Sequence, residues 1–158
     1  MPNMPIEISA VALRHGAALA TFFESVRADE SSRFFHPHAM TREVASKLAM
    51  YDGDDLYYVM TIDSNIVGYG MLRGWDKGHD IPSVGMLIRP DFRGRGLGRL
   101  FMNFLQVSAA LRGAKQLFLH VDQRNDVALK LYRSLGYKLA REENHEEFVG
   151  RLSLVCKS

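Results

Sequence analysis

In the segment RPDFRGRGLGRL, residues 89–100, three arginines and three glycines lie between Arg93 and Leu100. Glycine loses the most conformational entropy on folding, so beside ordered structure it marks an unusual φ or a close approach to the backbone. An apolar pattern of helical period follows and predicts a helix to about Arg112. A helix N-terminus presents partial positive charge and free N–H donors. The segment therefore predicts an anion site to which Arg93, Arg95 and Arg99 add donors. The alternative is a tight turn with solvated arginines.

The spacing of these glycines excludes two familiar phosphate-binding loops. A Walker loop needs Gly-x-x-x-x-Gly-Lys-[Ser/Thr], and no lysine follows the glycines here. A dinucleotide fingerprint needs Gly-x-Gly-x-x-Gly, whereas Gly94, Gly96 and Gly98 are evenly spaced two residues apart. Neither of these two loops fits the segment.

A second motif follows about 30 residues later, in NDVALKLYRSLGY, residues 125–137. Together with the Arg93, Gly96 and Gly98 loop after a strand that ends in Ile-Arg-Pro, this order resembles the GNAT superfamily of N-acetyltransferases. The second motif matches the family's spacing at Asn125, Ala128, Leu131, Tyr132, Gly136 and Tyr137. The resemblance is clear over residues 56–137, about half of the chain.

The resemblance implies acetyl-CoA as co-substrate. It implies that the pyrophosphate is held by the loop amides of Arg93, Gly94, Arg95, Gly96, Leu97, Gly98 and Arg99. It also implies that the strand residues Met86, Leu87 and Ile88 bind the pantetheine arm and orient the thioester carbonyl, and that two strands splay apart after this point. Asn125 is expected to cap a helix and to contact the cofactor arm.

Tyr132 stands at the family position of the general acid that protonates the leaving thiolate. A thiol has a pKa near 8.5 and a tyrosine near 10, so a modest shift makes this transfer workable. The alternative for Tyr132 is a core aromatic on a helix face.

The general base is predicted to be His120. Some family members that act on protein N-termini carry Glu in a Leu-Glu-Val run, whereas this chain has Leu119-His120-Val121. An imidazole pKa near 6.5 suits a base at neutral pH. The alternative is a structural histidine, and the rival bases are His79 and Asp80, with Ser83 as a relay through water.

Three further segments are candidates for the acceptor site. FFHPHAM, residues 34–40, is expected to line the acceptor pocket; a metal would need a third ligand, and none is evident, so no metal is expected. EENHEE, residues 142–147, is expected to be a solvated turn or a gate that attracts a cationic substrate. Trp75 would form a wall of the pocket if its loop folds over it.

The elements that must position these residues alternate between strands and helices. Strands are predicted at 6–13, 56–62, 66–73, 83–89 and 115–121 and in two final segments around the acidic turn, and helices at 15–27, 40–51, about 97–112 and 125–136. Asp63-Ser64-Asn65 predicts a tight hairpin and Thr41 an N-cap. The chain is therefore predicted to be α/β, with a mixed sheet layered with helices in a single N-acetyltransferase domain, residues 1–158.

Composition restricts the class further. With 158 residues, 47% hydrophobic residues and a net charge of +2, the chain has the composition of a soluble globular domain rather than a general nucleic-acid binder. The single cysteine, Cys156, excludes an intrachain disulfide and a cysteine metal site. With no signal-peptide pattern and no apolar run long enough to span a bilayer, the expectation is a cytoplasmic protein without membrane or nucleic-acid partners.

The predicted reaction is acetyl transfer from acetyl-CoA to a primary amine by direct attack in a ternary complex, since no cysteine lies near the motifs. Residues 68–86 are faintly similar to bacterial acetyltransferases of amino-sugar and surface-polysaccharide synthesis, which suggests an amino sugar as acceptor. A protein N-terminus, a lysine or a small amine are alternatives. So is a non-catalytic CoA-binding regulatory module. The sequence leaves the oligomeric state open, and many relatives are homodimers.

Overall fold

The computed structural model describes residues 5–29, 34, 37–142 and 146–154. Seven strands form one mixed sheet and four helices cover it, within the described residues. The strands are β1 Ile6–Ala10, β2 Leu56–Ile62, β3 Asn65–Arg73, β4 Ser83–Ile88, β5 Gln116–Asp122, β6 Lys138–Arg141 and β7 Glu147–Ser153. The helices are α1 Gly16–Arg27, α2 Arg42–Ala49, α3 Leu97–Leu111 and α4 Asp126–Ser134. The predicted mixed α/β sheet layered with helices is confirmed.

The sheet order is β1-β2-β3-β4-β5-β7-β6, and only the β4–β5 pair is parallel. The predicted hairpin joins β2 to β3 through Asp63 and Ser64, which have φ of 49° and 66°. Two central residues in the left-handed region match the right-handed twist of the flanking strands. The local turn chemistry thus sets the register of Ile62 opposite Asn65.

The two faces of the sheet carry separate helical layers. α1 and α2 pack on one face, where Phe23 and Tyr69 are fully buried. α3 and α4 pack on the other, around the fully buried Phe101 and Leu105. Because both faces of β3 are covered, its residues 66–72 are all buried. We call these the α1–α2 face and the α3–α4 face.

One glycine permits the close packing of α3 on the sheet. A Cβ on Gly70 would lie 2.7 Å from Phe101 Cε1 and 3.0 Å from Leu105 Cδ1. Real side chains do not approach this closely, so a larger residue would push α3 off β3. The apolar side of α3 is narrower than the sequence pattern predicts, because Leu100 and Leu111 are 44% and 84% exposed.

The predicted helix caps form. The Thr41 side chain accepts from the Val44 amide, and the Asn125 side chain accepts from the Ala128 amide, each at 3.2 Å. Gly136, with φ of 96°, ends α4. β1 is shorter than predicted, since it stops at Ala10 and a 3₁₀ turn follows at Leu13–His15. In the described parts of the chain, no helix has the length and apolar character needed to cross a membrane.

Candidate active site

β4 and β5 are joined at a single residue pair. Ser83, the first residue of β4, pairs with Phe118, and no later residue of β4 has a ladder partner in β5. On its other side β4 is paired with β3 over its whole length. The parallel strands therefore separate towards their C-terminal ends, which is the predicted splay.

The backbone of β4 presents alternate peptide groups to this gap. The Arg89 amide donates to the Val67 carbonyl at 2.7 Å, so the odd-numbered residues of β4 bond to β3. The even-numbered residues, Met86 and Ile88, therefore direct their N–H and C=O groups towards β5. Leu87 is different from its neighbours, since its peptide groups face Tyr69 in β3.

The opposite wall of the gap follows from the same alternation. Gln123 donates to the Glu146 carbonyl at 3.0 Å, so the odd-numbered residues of β5 bond to β7. His120 and Asp122 direct their peptide groups towards β4. The gap thus lies between backbone donors and acceptors on both sides.

The glycine-arginine loop follows β4 and leads into α3. Gly94 and Gly96 have φ of 76° and 85°, a region that L residues adopt at a cost. A Cβ on Gly98 would lie 3.2 Å from Met86 Cε, so this glycine lets the start of α3 approach β4. The three glycines therefore serve two purposes, left-handed backbone at two positions and close packing at the third.

The loop forms a cluster of free backbone donors. The first bond within α3 runs from the Leu100 amide to the Gly96 carbonyl at 3.1 Å. None of the six amides from Gly94 to Arg99 donates to another group in the described part of the chain. The Arg93 amide, which was expected to join them, instead donates to the Pro90 carbonyl at 3.3 Å. Such a cluster at a helix N-terminus binds anions.

The arginine side chains of the loop make different contacts. Arg93 donates to the Ile88 carbonyl at 3.0 Å and lies 3.6 Å from Asp29, which ties the loop to the sheet and to the residues after α1. Arg99 donates to Ser134 at 2.7 Å and joins α3 to α4. Arg95 lies over the Phe92 ring, 5.3 Å from its centroid.

Tyr132 lies on α4 and is 8% exposed. Its hydroxyl has no hydrogen-bond partner among the described residues, and no fully buried polar side-chain atom is left unpaired there. The hydroxyl is therefore in contact with solvent. Burial of the ring raises the pKa of Tyr132 to about 12, which is opposite to the modest helpful shift that the sequence suggested.

A cavity of about 540 Å³ opens on the α1–α2 face beside the gap. Its lining combines the ends of β3 and β7, the start of β4, the end of β5 and parts of two loops: Phe34, Pro37, Met71, Arg73, Ser83, Val84, Gly85, His120, Asp122, Arg124, Glu142, Glu147 and Val149. This volume is typical of small-molecule sites.

Two of the candidate proton-transfer residues lie in this cavity. His120 is exposed, with its ring centroid 5.7 Å from that of Phe118, and Ser83 lies at the start of β4. His79 and Asp80 are exposed in the preceding loop and are not among the lining residues. Of the three candidate bases, His120 therefore lines the cavity, and His79 and Asp80 do not.

Trp75 is not where the sequence suggested. The Asp55 carboxylate accepts from the amides of Gly74 and Asp76 at 2.9 and 3.2 Å and holds the loop down. Trp75 then packs under Arg112 near the end of α3, with the guanidinium carbon 4.8 Å from its ring centroid. It is not a wall of the cavity.

Sequence reasoning missed three charged residues of the cavity, Arg73, Asp122 and Arg124. Asp122 is two residues from His120 on one strand and so shares its face, a signal that the sequence contained. It pairs with Arg124 at 2.9 Å and also accepts the Arg124 amide at 2.9 Å. The carboxylate is therefore already engaged, whereas the His120 side chain forms no hydrogen bond or ion pair with any described residue.

Parts of the candidate segments lie outside the described residues. This applies to residues 35–36 of FFHPHAM, to residues 143–145 of the acidic turn, and to Cys156. Phe34, Pro37, Glu142 and Glu147 from these segments do line the cavity. Within the described residues, no group of three or more His, Cys, Asp or Glu side chains could hold a metal ion.

Comparisons with known proteins agree with this geometry. The acetyltransferase (GNAT) family model matches residues 21–137. An acetyltransferase of Pectobacterium atrosepticum is 32% identical over 84 residues, which cover 53% of this chain and 58% of that protein, less than two thirds of its length.

Solved structures match over nearly the whole chain. The GNAT domain of S. lividans PAT has a TM-score of 0.81 at 17% identity and covers 94% of this chain and 90% of its own. The PaiA N-acetyltransferase of Thermoplasma acidophilum, in complex with coenzyme A, has a TM-score of 0.76 at 15% identity, with 95% and 99% covered. At these identities the matches show the fold. With the family match over residues 21–137, the chain belongs to the GNAT family of acetyltransferases, acyltransferase enzymes whose co-substrate is acetyl-CoA.

Proposed function

We propose that this chain transfers the acetyl group of acetyl-CoA to a primary amine, by direct attack in a ternary complex. The observation that supports this most is the gap between β4 and β5. The amide cluster follows β4 at the open end of the gap, and the cavity on the α1–α2 face includes residues of both strands. A thioester held in the gap would be within reach of an amine in the cavity.

The co-substrate would be held mainly by backbone groups. The six free amides from Gly94 to Arg99 suit a pyrophosphate, and the Met86 and Ile88 peptide groups suit the pantetheine arm and the thioester carbonyl. Leu87 would contribute only through its neighbours, since its own peptide groups face β3. The Arg93 side chain would position the loop rather than bind phosphate.

The reaction forms a C–N bond at the thioester carbonyl and breaks the C–S bond. The amine loses a proton and the departing thiolate gains one. We assign the first transfer to His120, directly or through a water held by Ser83, and the second to Tyr132. Asn125 would contact the cofactor arm in addition to capping α4.

The pKa of Tyr132 makes this second transfer more demanding. A pKa of about 12 lies roughly 3.5 units above that of a free thiol, which corresponds to about 5 kcal/mol. Burial raises the pKa of a thiol as well, because it disfavours the thiolate, and so narrows the difference. The phenol keeps its proton at every pH at which the enzyme works, as an acid must.

The acceptor is proposed to be an amino sugar, with a protein N-terminal amine or a small amine as alternatives. A different class of function is a CoA-binding regulatory module without catalysis. We also propose a single acetyltransferase domain that acts in the cytoplasm and assembles as a homodimer, all three of which stay predictions.

The test is release of free CoA thiol from acetyl-CoA by the pure protein with a panel of amines. The panel contains amino sugars and their nucleotides, peptides with free N-termini, lysine peptides and polyamines. Turnover confined to one group establishes the activity and the acceptor class. Binding of acetyl-CoA by calorimetry without turnover of any amine would favour the regulatory module, and absence of binding would refute the assignment of the loop.

A further inference from the structure

We propose that Arg73 binds an anionic group of the acceptor, so that the acceptor is a primary amine that also carries a carboxylate or a phosphate. This rests on the proposed function, because it concerns the acceptor side of the same site. Arg73 ends β3, pairs with Ser83 and lines the cavity.

Arg73 has no acidic partner in the part of the chain that the structure describes. Its guanidinium donates to the Pro37 carbonyl at 2.8 Å and lies near the Tyr57 side chain. Neither group carries negative charge at neutral pH. The other arginine of the cavity, Arg124, is neutralised by Asp122. A guanidinium keeps its charge in proteins, so the half-buried Arg73 leaves a positive charge on the cavity wall.

The charge of the cavity differs between its two ends. Arg73 is level with Ser83, which pairs with Phe118. His120 lies two residues further along β5, or about 7 Å at the rise of a strand. Two residues beyond His120 is Asp122, and its neighbour on the adjacent strand β7 is a second acidic residue, Glu147. An acceptor with its anion at Arg73 and its amine near His120 would lie along this charge gradient.

The position of Arg73 is held by a segment that is itself anchored. His38 follows Pro37 in the chain. Its Nδ1 atom lies 2.9 Å from the Ala39 carbonyl oxygen, and its Nε2 atom lies 2.8 Å from the Tyr69 hydroxyl oxygen. Because Nδ1 faces a carbonyl, it carries the proton, and Nε2 accepts from Tyr69. Burial lowers the pKa of His38, which favours this neutral form. The Pro37 carbonyl is thereby fixed, and the guanidinium is pre-organised for a ligand.

The test compares acceptors that differ only in the anionic group. One pair is triglycine and its C-terminal amide, and the other is glucosamine 6-phosphate and glucosamine. For the wild-type protein we expect kcat/KM to favour the anionic member of one pair by about 10- to 100-fold, the range for a charge-assisted hydrogen bond. The pair that shows the preference identifies carboxylate or phosphate as the group.

The variant Arg73→Gln should lose this preference and keep the KM for acetyl-CoA. Arg73→Lys should retain part of it, and Arg14→Gln, at an exposed arginine outside the cavity, should retain all of it. A merely structural role of Arg73 would lower kcat/KM for both members of a pair alike. Equal rates for both members in the wild type, or a preference that survives in Arg73→Gln, would overturn the proposal.

Binding separates this proposal from the proposed activity. The same pairs are titrated by calorimetry into the protein saturated with CoA. A preference for the anionic member that disappears in Arg73→Gln, without turnover, supports the anion site and counts against catalysis. Turnover without any anion preference supports catalysis and counts against Arg73. The highest concentration tested is about 10 mM, on the order of the Kd of weak millimolar binding. If none of the four compounds binds or reacts at that concentration, the result counts against the anion site.

Discussion

Replacing Tyr132 by Phe removes only the hydroxyl that is proposed to protonate the leaving thiolate. The hydroxyl has no hydrogen-bond partner among the described residues, so its loss breaks no bond in the protein. We expect the free energy of unfolding to change by less than about 0.5 kcal/mol. The KM for acetyl-CoA should also stay unchanged, because the proposed binding groups are backbone amides.

The expected loss of turnover follows from the acidity of the group. A positioned general acid contributes about 10²- to 10⁴-fold to the rate. With its pKa raised to about 12, Tyr132 is a weak acid towards a thiolate, so the lower part of that range applies. We expect kcat to fall by about 10²- to 10³-fold, equivalent to roughly 2.7 to 4 kcal/mol in the barrier.

Tyr137 supplies the matched control. Its ring centroid lies 5.8 Å from that of Tyr132, it is 4% exposed, and its hydroxyl donates to Gln106 at 3.2 Å. Tyr137→Phe should therefore lower stability by about 1 kcal/mol, or Tm by about 2 to 4 °C, and leave kcat near the wild-type value.

The assay measures thiol release at saturating acetyl-CoA and acceptor, with thermal unfolding of the same preparations. The two variants should give opposite results, loss of turnover without loss of stability for Tyr132 and the reverse for Tyr137. A Tyr132→Phe protein with kcat within twofold of wild type would refute the acid role. Equal loss of kcat in both variants would indicate a general effect of the buried tyrosine pair.

Three other predictions concern the base, the loop and alkaline pH. Replacing His120 by Ala should lower kcat by about 10²-fold or more, most severely at low pH where free amine is scarce, and an unaltered pH–rate profile would dismiss it as the base. In Gly96→Ala the new Cβ has room, but the backbone must keep φ near 85°, so the free energy of unfolding should fall by about 1 to 2 kcal/mol and acetyl-CoA binding should weaken. In Gly98→Ala the new Cβ meets only the flexible end of Met86, so both losses should be smaller. Equal losses for the two variants, in calorimetry of acetyl-CoA binding and in unfolding, would contradict this. The pKa of Tyr132 in the folded state is raised above 10, so its contribution of about 3 kcal/mol to the free energy of unfolding is fully present below pH 10 and is lost as the pH rises towards 12. The stability of Tyr132→Phe should therefore decline less than that of the wild type between pH 10 and 12. Parallel curves of stability against pH for the two proteins would count against the shift.

Local features of this protein could be predicted from the sequence because their causes are local. The Asp63–Ser64 turn, the Thr41 and Asn125 caps and the period of α3 each depend on residues within one turn or one strand. The glycines of the loop were predicted to serve an unusual φ or a close approach, and the structure has both, at Gly96 and at Gly98.

Other features depend on residues that are distant in the chain. The position of Trp75 could not be predicted, because the direction of its loop is set by Asp55, about 20 residues earlier. The pKa of Tyr132 is raised further above that of a thiol, because other elements of the fold bury its side chain. No local sequence pattern indicates that burial.

The sequence by itself determined that a glycine-rich loop, proposed to bind an anion, follows a strand and begins a helix, because glycine conformation and amide exposure are properties of the local backbone. Only the tertiary structure decided that β4 and β5 part after one residue pair, which peptide groups face that gap, and that Arg73 and His120 line one cavity. Ser83 and Phe118, which form that pair, are 35 positions apart in the chain, and Arg73 and His120 are 47 apart. Their relative positions therefore result from the packing of both helical layers on the sheet. The loop could therefore be predicted from the chain, whereas the arrangement of the proposed acceptor site depends on the fold.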